Sequence, residues 1–323
     1  MNEGKKNSLV SFSFLNFAAF MSSKITNWLL FITLCLIWGS SFILMKWGLY
    51  DENLLPVLSA YQVAALRMLS SGLVMLPFAW QALKPLPRST IRYVLLSGWL
   101  GSFIPAFLFC IAETKIDGAL AGSLNSLTPL FVIITGALFF RMKTSAQKLS
   151  GVLVGLVGSS LLLYANNSQP HGYLAYTGFV VLATIFYGFN VNMVHERLKG
   201  VGSVQIAAIA FTGLIPPSLL VLIADGYFSL PLSESKYIVS TVASAALGIL
   251  GTALASVLFY VLVKKAGGLF ASLVTYGIPF IAIGWGVYYG EKVTYLHVIA
   301  LSVILIGVYL ANRPEKKKAT PVD

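Results

Sequence analysis

The chain is predicted to be an all-α membrane protein, with ten transmembrane helices arranged as two inverted five-helix repeats. Three observations predict it. Hydrophobic residues make up 57% of the 323 positions and charged residues only 10%, with a mean hydropathy of +0.83; soluble domains run at about 45–50% apolar and about 25% charged. Ten apolar runs, each near the roughly 20 residues that cross a bilayer as helix, follow one another through short polar links. Finally, the two halves repeat each other in register.

The first repeat, 26–165, holds the runs 28–49, 57–80, 92–112, 118–140 and 149–165. The second, 173–312, holds 173–194, 203–224, 237–263, 268–289 and 295–312. Short links make neighbouring helices antiparallel, and Lys84-Pro85-Leu86-Pro87, Ser168-Gln169-Pro170 and Gly267-Gly268 carry turn chemistry. The 28 glycines suit close helix packing in lipid. Cys35 and Cys110 both fall in apolar runs and read as buried thiols rather than a disulfide framework. Residues 1–25 read as an N-terminal extension, poorly ordered or interfacial, and 313–323 as a basic cytoplasmic tail. Val10 to Met21 is too short to span, and Met21-Ser22-Ser23-Lys24 is the alternative starting point of translation, slightly the better fit.

The repeat register is ungapped over a long stretch. Leu100-Gly101 recurs 150 positions on as Leu250-Gly251, Leu108-Phe109 as Leu258-Phe259, Gly118 as Gly268, Pro129 as Pro279, Gly136 as Gly286 and Thr144 as Thr294. Alternate links then receive very unequal charge. Seventeen basic residues fall on one side: Lys5, Lys6, Lys24, Lys84, Arg88, Arg92, Arg141, Lys143, Lys148, Arg197, Lys199, Lys264, Lys265, Arg313 and Lys316 to Lys318. Only Lys115, Lys236 and Lys292 fall on the other. The positive-inside rule makes the first side cytoplasmic and puts both termini there. The formal net charge of +11 is thus a topology signal, and no nucleic-acid partner is expected. Five spans per half is an odd number, so the second half is inverted about an axis in the membrane plane.

At this point the chain resembles the EamA-type members of the drug/metabolite transporter superfamily. In the first half the resemblance is carried by Ile37-Trp38-Gly39-Ser40-Ser41-Phe42, Ala64-Ala65-Leu66-Arg67 and Ser126-Leu127-Thr128-Pro129-Leu130. In the second it runs through Gly251-Thr252-Ala253, Ile278-Pro279, Gly290-Glu291-Lys292 and Gly307-Val308. Phe140-Arg141 departs from the usual Gly-Glu, as a cytoplasmic position explains. The resemblance implies a secondary transporter, a permease working by alternating access on a small metabolite. An amino acid or related amphipathic compound, moved outward across a bacterial inner (plasma) membrane by a monomer, is the working expectation. Flipping of lipid-linked precursors is the alternative. A membrane-embedded enzyme would need acids, histidines or metal ligands at a common depth, and none is present. No phosphate-cradling loop, cofactor motif or metal spacing occurs, so no cofactor or metal is expected.

Candidate substrate-binding residues follow from what is polar or aromatic within the spans. Arg67 cannot easily reach either surface, and charge in hydrocarbon costs about 2.5–3.5 kcal/mol on insertion scales. It reads either as a structural arginine bonding helix-end carbonyls or as a counter-charge for an anionic cargo. Lys46 either snorkels to the outer interface or faces the pathway with Trp38 and Ser41. Pro129 and Pro279 each remove a backbone donor and free a carbonyl one turn upstream, near Asn125 and Thr275. These two prolines are the expected kinks, with Asn125 and Tyr276 meeting cargo from opposite sides. Tyr187, Asn190, Thr252 and Tyr260 complete the set with Trp38. Each also has a plainer reading as an inter-helix hydrogen bond. No carboxylate lies inside a span, so Glu113 and Glu291 at helix ends are the candidates for coupling.

The inverted topology makes a direct prediction. Single cysteines placed at Lys143 and Lys292, in a variant lacking Cys35 and Cys110, should label from opposite faces of sealed cells. Labelling of both from one face would remove the inversion.

Overall fold

The computed structural model describes residues 24–83, 86–116, 118–165, 174–288 and 294–313. These form ten helices in chain order. α1 spans Lys24–Leu49 and α2 Ala60–Leu83. α3 joins an α segment Arg88–Gly98, a π segment Trp99–Phe103 and an α segment Ile104–Glu113. α4 is broken into Gly118–Asn125 and Thr128–Phe140, and α5 spans Ala146–Ala165. The second half follows the same plan. α6 is Leu174–Arg197, and α7 is Ser203–Thr212 with Ile215–Ala224. α8 joins Ser235–Gly248, a π segment Ile249–Leu254 and Ala255–Ala266. α9 is Gly268–Ser272 with Val274–Tyr288, and α10 is Tyr295–Asn312.

Nine of these, among the described residues, are long and apolar enough to cross a membrane. α5, lying along α10, completes the ten. The outward faces are apolar, with Leu138 71% and Leu220 66% exposed. Such a surface would aggregate in water and is what lipid requires. The polar residues turn inward instead. Glu291 and Lys292 lie outside the described residues, as does the extension up to residue 23.

The broken helices have local causes. Pro105 has no N–H to give the Gly101 carbonyl, and α3 widens there into its π turn. In α8 the same widening occurs without a proline: the Ala255 N–H reaches back to Leu250. Pro129 likewise cannot serve Asn125, whose carbonyl accepts from the Thr128 hydroxyl at 2.8 Å. The matching prolines do not give matching breaks, however. α9 interrupts at Leu273 and continues as helix through Pro279, so the expected kink at Pro279 is displaced upstream.

Among the helix pairs that join the halves, two pack most closely. α5 and α10 meet through Gly151, Gly155 and Gly158 against Ala311, Gly307 and Ile304, backbone against backbone. α2 and α7 run antiparallel with Gly72 against the Phe211 carbonyl, where a β-carbon would stand at 2.6 Å. Each end of that pair is fastened by a glutamine. Gln62 donates to the Asp225 carbonyl at 2.9 Å, and Gln205 donates to the Ala82 carbonyl at 2.7 Å. Each glutamine also accepts from the backbone just before its own helix, from Ser59 and Gly202 respectively.

A β-carbon on Gly307 would overlap the backbone nitrogen of Gly155, which has nowhere to go. Gly307→Val should therefore cost about 1–3 kcal/mol, the usual toll of overpacking. A lowered melting temperature of the purified protein checks this. An unchanged one would mean that α5 and α10 do not touch as described.

Candidate functional site

A cavity opens between the halves, walled by α1, α2, α3 and α4 of the first and by α6, α8 and α9 of the second. Its space for water-molecule centres is about 100 Å³. One buried water needs about 10–15 Å³ by that measure, so the cavity admits several waters or a compact organic molecule. The walls are symmetric. Gly101, Ser102, Phe109, Asn125 and Thr128 line it, and so do Gly251, Thr252, Phe259, Thr275 and Ile278, each 150 positions later. Trp38, Ser41 and Phe42 of α1 are matched by Tyr187, Asn190 and Val191 of α6, each 149 positions later. Arg67 breaks the symmetry.

The same pairing governs the contacts. Asn190 sits directly over Gly101, and Ser41 over Gly251, where a β-carbon would stand 2.7 Å from the Ser41 hydroxyl. Both glycines lie in the π segments of α3 and α8. Two aromatic pairs form opposite walls. Trp38 meets Phe259 with ring centroids 5.2 Å apart, and Tyr187 meets Phe109 at 6.1 Å. The Trp38 indole also donates to the Gly251 carbonyl at 3.0 Å. Ser97 donates to the Asn190 side-chain oxygen at 2.5 Å. Tyr260 closes over that pair.

Arg67 Nε donates to the Thr252 hydroxyl at 2.6 Å, joining α2 to the π segment of α8. Asn125 accepts from Thr128 at its side-chain oxygen, at 3.1 Å. Its amide nitrogen has no protein partner among the described residues. Thr275 bonds back to the Ser272 carbonyl at 2.9 Å.

Of the residues expected to meet cargo, Trp38, Arg67, Asn125, Tyr187, Asn190, Thr252 and Tyr260 all line this one cavity. Tyr276 is placed elsewhere. Its ring packs on Gly155 and its hydroxyl donates to the Val152 carbonyl at 2.7 Å, so it fastens α9 to α5. The neighbouring Thr275 takes the cavity position. Similarly Lys46 is exposed near the end of α1, and Met45 lines the wall instead. Glu113, the last residue of α3, is buried but stands off the cavity wall. It lies close to Tyr50, whose phenol is pushed above its ordinary value by burial and then by the Glu113 charge. Among the described residues no group of three or more histidine, cysteine, aspartate or glutamate side chains is placed to hold a metal.

Sequence reasoning passed over Phe109, Phe259, Gly101 and Gly251 as site residues. The signal was present, since all four recur in the repeat register. These placements separate two substitutions. Asn125→Ala should weaken cargo affinity about threefold or more, the value of one hydrogen bond. Tyr276→Phe should leave affinity unchanged and cost about 0.6 kcal/mol of stability, typical of an inter-helix bond in lipid. Affinity and melting temperature measured on the same purified variants check both; the opposite pattern would exchange their roles.

The wider comparisons agree with this architecture. The EamA-like transporter family matches the chain twice, over residues 26–164 and 175–313. Protein PagO of Salmonella typhimurium is 23% identical over 297 residues, covering 89% of this chain and 93% of its own. The uncharacterized transporter YxxF of Bacillus subtilis is 27% identical over 248 residues, covering 73% and 75%. The WAT1-related protein At3g02690, chloroplastic, of Arabidopsis thaliana is 22% identical and covers 90% of this chain. A protein of known crystal structure superposes with a TM-score of 0.68 at 19% identity, covering 90% of this chain and 97% of that one. With both halves matched and the fold shared, the chain belongs to the EamA-like transporter family, as a multi-pass integral membrane protein.

Proposed function

We propose that the chain is a secondary transporter that moves a small amphipathic metabolite across the bacterial plasma membrane by alternating access. The observation that carries this is the symmetric cavity. A site walled by equivalent positions of two inverted halves is one that either half can uncover in turn. The two π segments and the breaks in α4, α7 and α9 supply places where such helices bend. Opposed aromatic pairs with hydroxyls and amides between them suit a cargo that is part ring or chain, part polar.

The direction we propose is export. Among the described residues no carboxylate or histidine lines the cavity, which leaves uphill uptake without a local proton site. A carrier of that kind runs a metabolite down its own gradient, outward for a compound made inside. Both termini are taken as cytoplasmic and the functional unit as one chain.

The experiment is counterflow in liposomes. Protein loaded with unlabelled cargo should accumulate labelled cargo from outside, with saturation and trans-stimulation. Gly101→Val, which drives a side chain into Asn190, should lower that exchange about tenfold or more, the effect of misplacing site groups. Flux that rises linearly with concentration and ignores the trans side would replace the carrier by a channel.

A further inference from the structure

Among the described residues, the cavity lining holds one full charge and nothing of opposite sign. Arg67 lines it, and among the described residues no aspartate or glutamate does. Its guanidinium offers five N–H donors, and only Nε is engaged, by Thr252. No ion pair or further hydrogen bond occupies the two terminal nitrogens among the described residues. A purely structural arginine would spend those donors on carbonyls freed at the helix breaks. Here two carbonyls at the helix breaks have other partners: Gly251 accepts from Trp38, and Asn125 from Thr128.

From this we infer that the cargo is a small organic carboxylate, with its carboxylate seated on the terminal nitrogens of Arg67 and an apolar, preferably aromatic, body between the two aromatic walls. The reading rests on the proposed carrier function and names its substrate class. A planar fork of donors held by one bond at Nε is oriented to meet two carboxylate oxygens side by side. An unpaired charge in a low-dielectric site is unfavourable until an anion neutralises it, so the Arg67 guanidinium selects for negative cargo. Asn125, whose amide nitrogen has no protein partner among the described residues, is a second donor lining the same cavity. An organic cation would meet Arg67 with no acid to offset the repulsion. The Trp38–Phe259 and Tyr187–Phe109 pairs, each in ring contact at 5.2 and 6.1 Å between centroids, present aromatic surface to a flat ring in the cavity.

The test uses three compounds of one shape: 3-phenylpropanoate, 3-phenylpropanamide and 3-phenylpropylamine. Binding to the purified full chain is followed by tryptophan fluorescence and thermal shift, which need no transport. The carboxylate should bind about tenfold or more tighter than the amide, the value of a charge-assisted pair, and the amine least. Arg67→Gln should bring carboxylate and amide to equal affinity, while Arg67→Lys keeps part of the preference because it keeps the charge. Should Arg67→Gln not fold, the order of the three compounds on the unaltered protein decides by itself. Equal binding of acid and amide, preference for the amine, or no binding of the acid would each overturn the inference. Counterflow measured on the same preparation separates the failures. Active counterflow of other solutes with no acid preference removes the substrate class alone, whereas channel-like flux removes the carrier reading beneath it.

Discussion

Hydrocarbon offers a peptide group nothing to bond with, and that constraint organises this molecule. An unbroken helix satisfies its own backbone; every interruption has to be repaired by protein or confined to a wet interior. Two of the interruptions here are served by side chains. The Thr128 hydroxyl serves the carbonyl abandoned by Pro129, and the Trp38 indole serves Gly251 in the π turn of α8. Because repair needs polar side chains, polar side chains gather where helices break. The gathering sets polar groups into the walls of a hollow within an otherwise apolar bundle. Site and defect are therefore the same place.

Duplication explains why the hollow has matched walls. An α3 segment that widens at Gly101 admits Asn190 from α6, and its inverted copy at Gly251 admits Ser41 from α1. Neither contact lies wholly within one half. Each half supplies the gap that the other fills, so five helices alone would leave their π segment facing nothing. The departures from symmetry are equally instructive. Thr128 has Ile278 as its mate, and Arg67 stands on one wall only. A symmetric frame thus holds an asymmetric polar interior, as a cargo with a head and a tail requires.

Much of this was legible in the chain. Apolar run length gave the helices to within a few residues, and the charge separation across links supports their number. Seven of the eight expected cavity residues line one cavity because polar groups in lipid have few other places to go. Tyr276 was misplaced for a local reason. Successive helical residues point about 100° apart, and the interruption at Leu273 resets the phase of α9, so that Thr275 rather than Tyr276 faces inward. Lys46 and Met45 differ by the same single step. The π turn of α8 was not legible, since no proline marks it and its repair comes from a distant helix. Phe109 and Phe259 were visible only as repeat markers, apolar residues in apolar surroundings.

The glutamine clasps on α2 and α7 bear on what kind of machine this can be. Gln62 and Gln205 fasten the pair at both ends, and the pair takes one helix from each half. Two repeats riveted together in this way are not two doors on a common frame. They share a spine, and displacement of one against the other is largest in the helices remote from it. Arg67 rides on that spine. The charge that lines the cavity is thereby carried on a helix clasped at both ends to its partner from the other half.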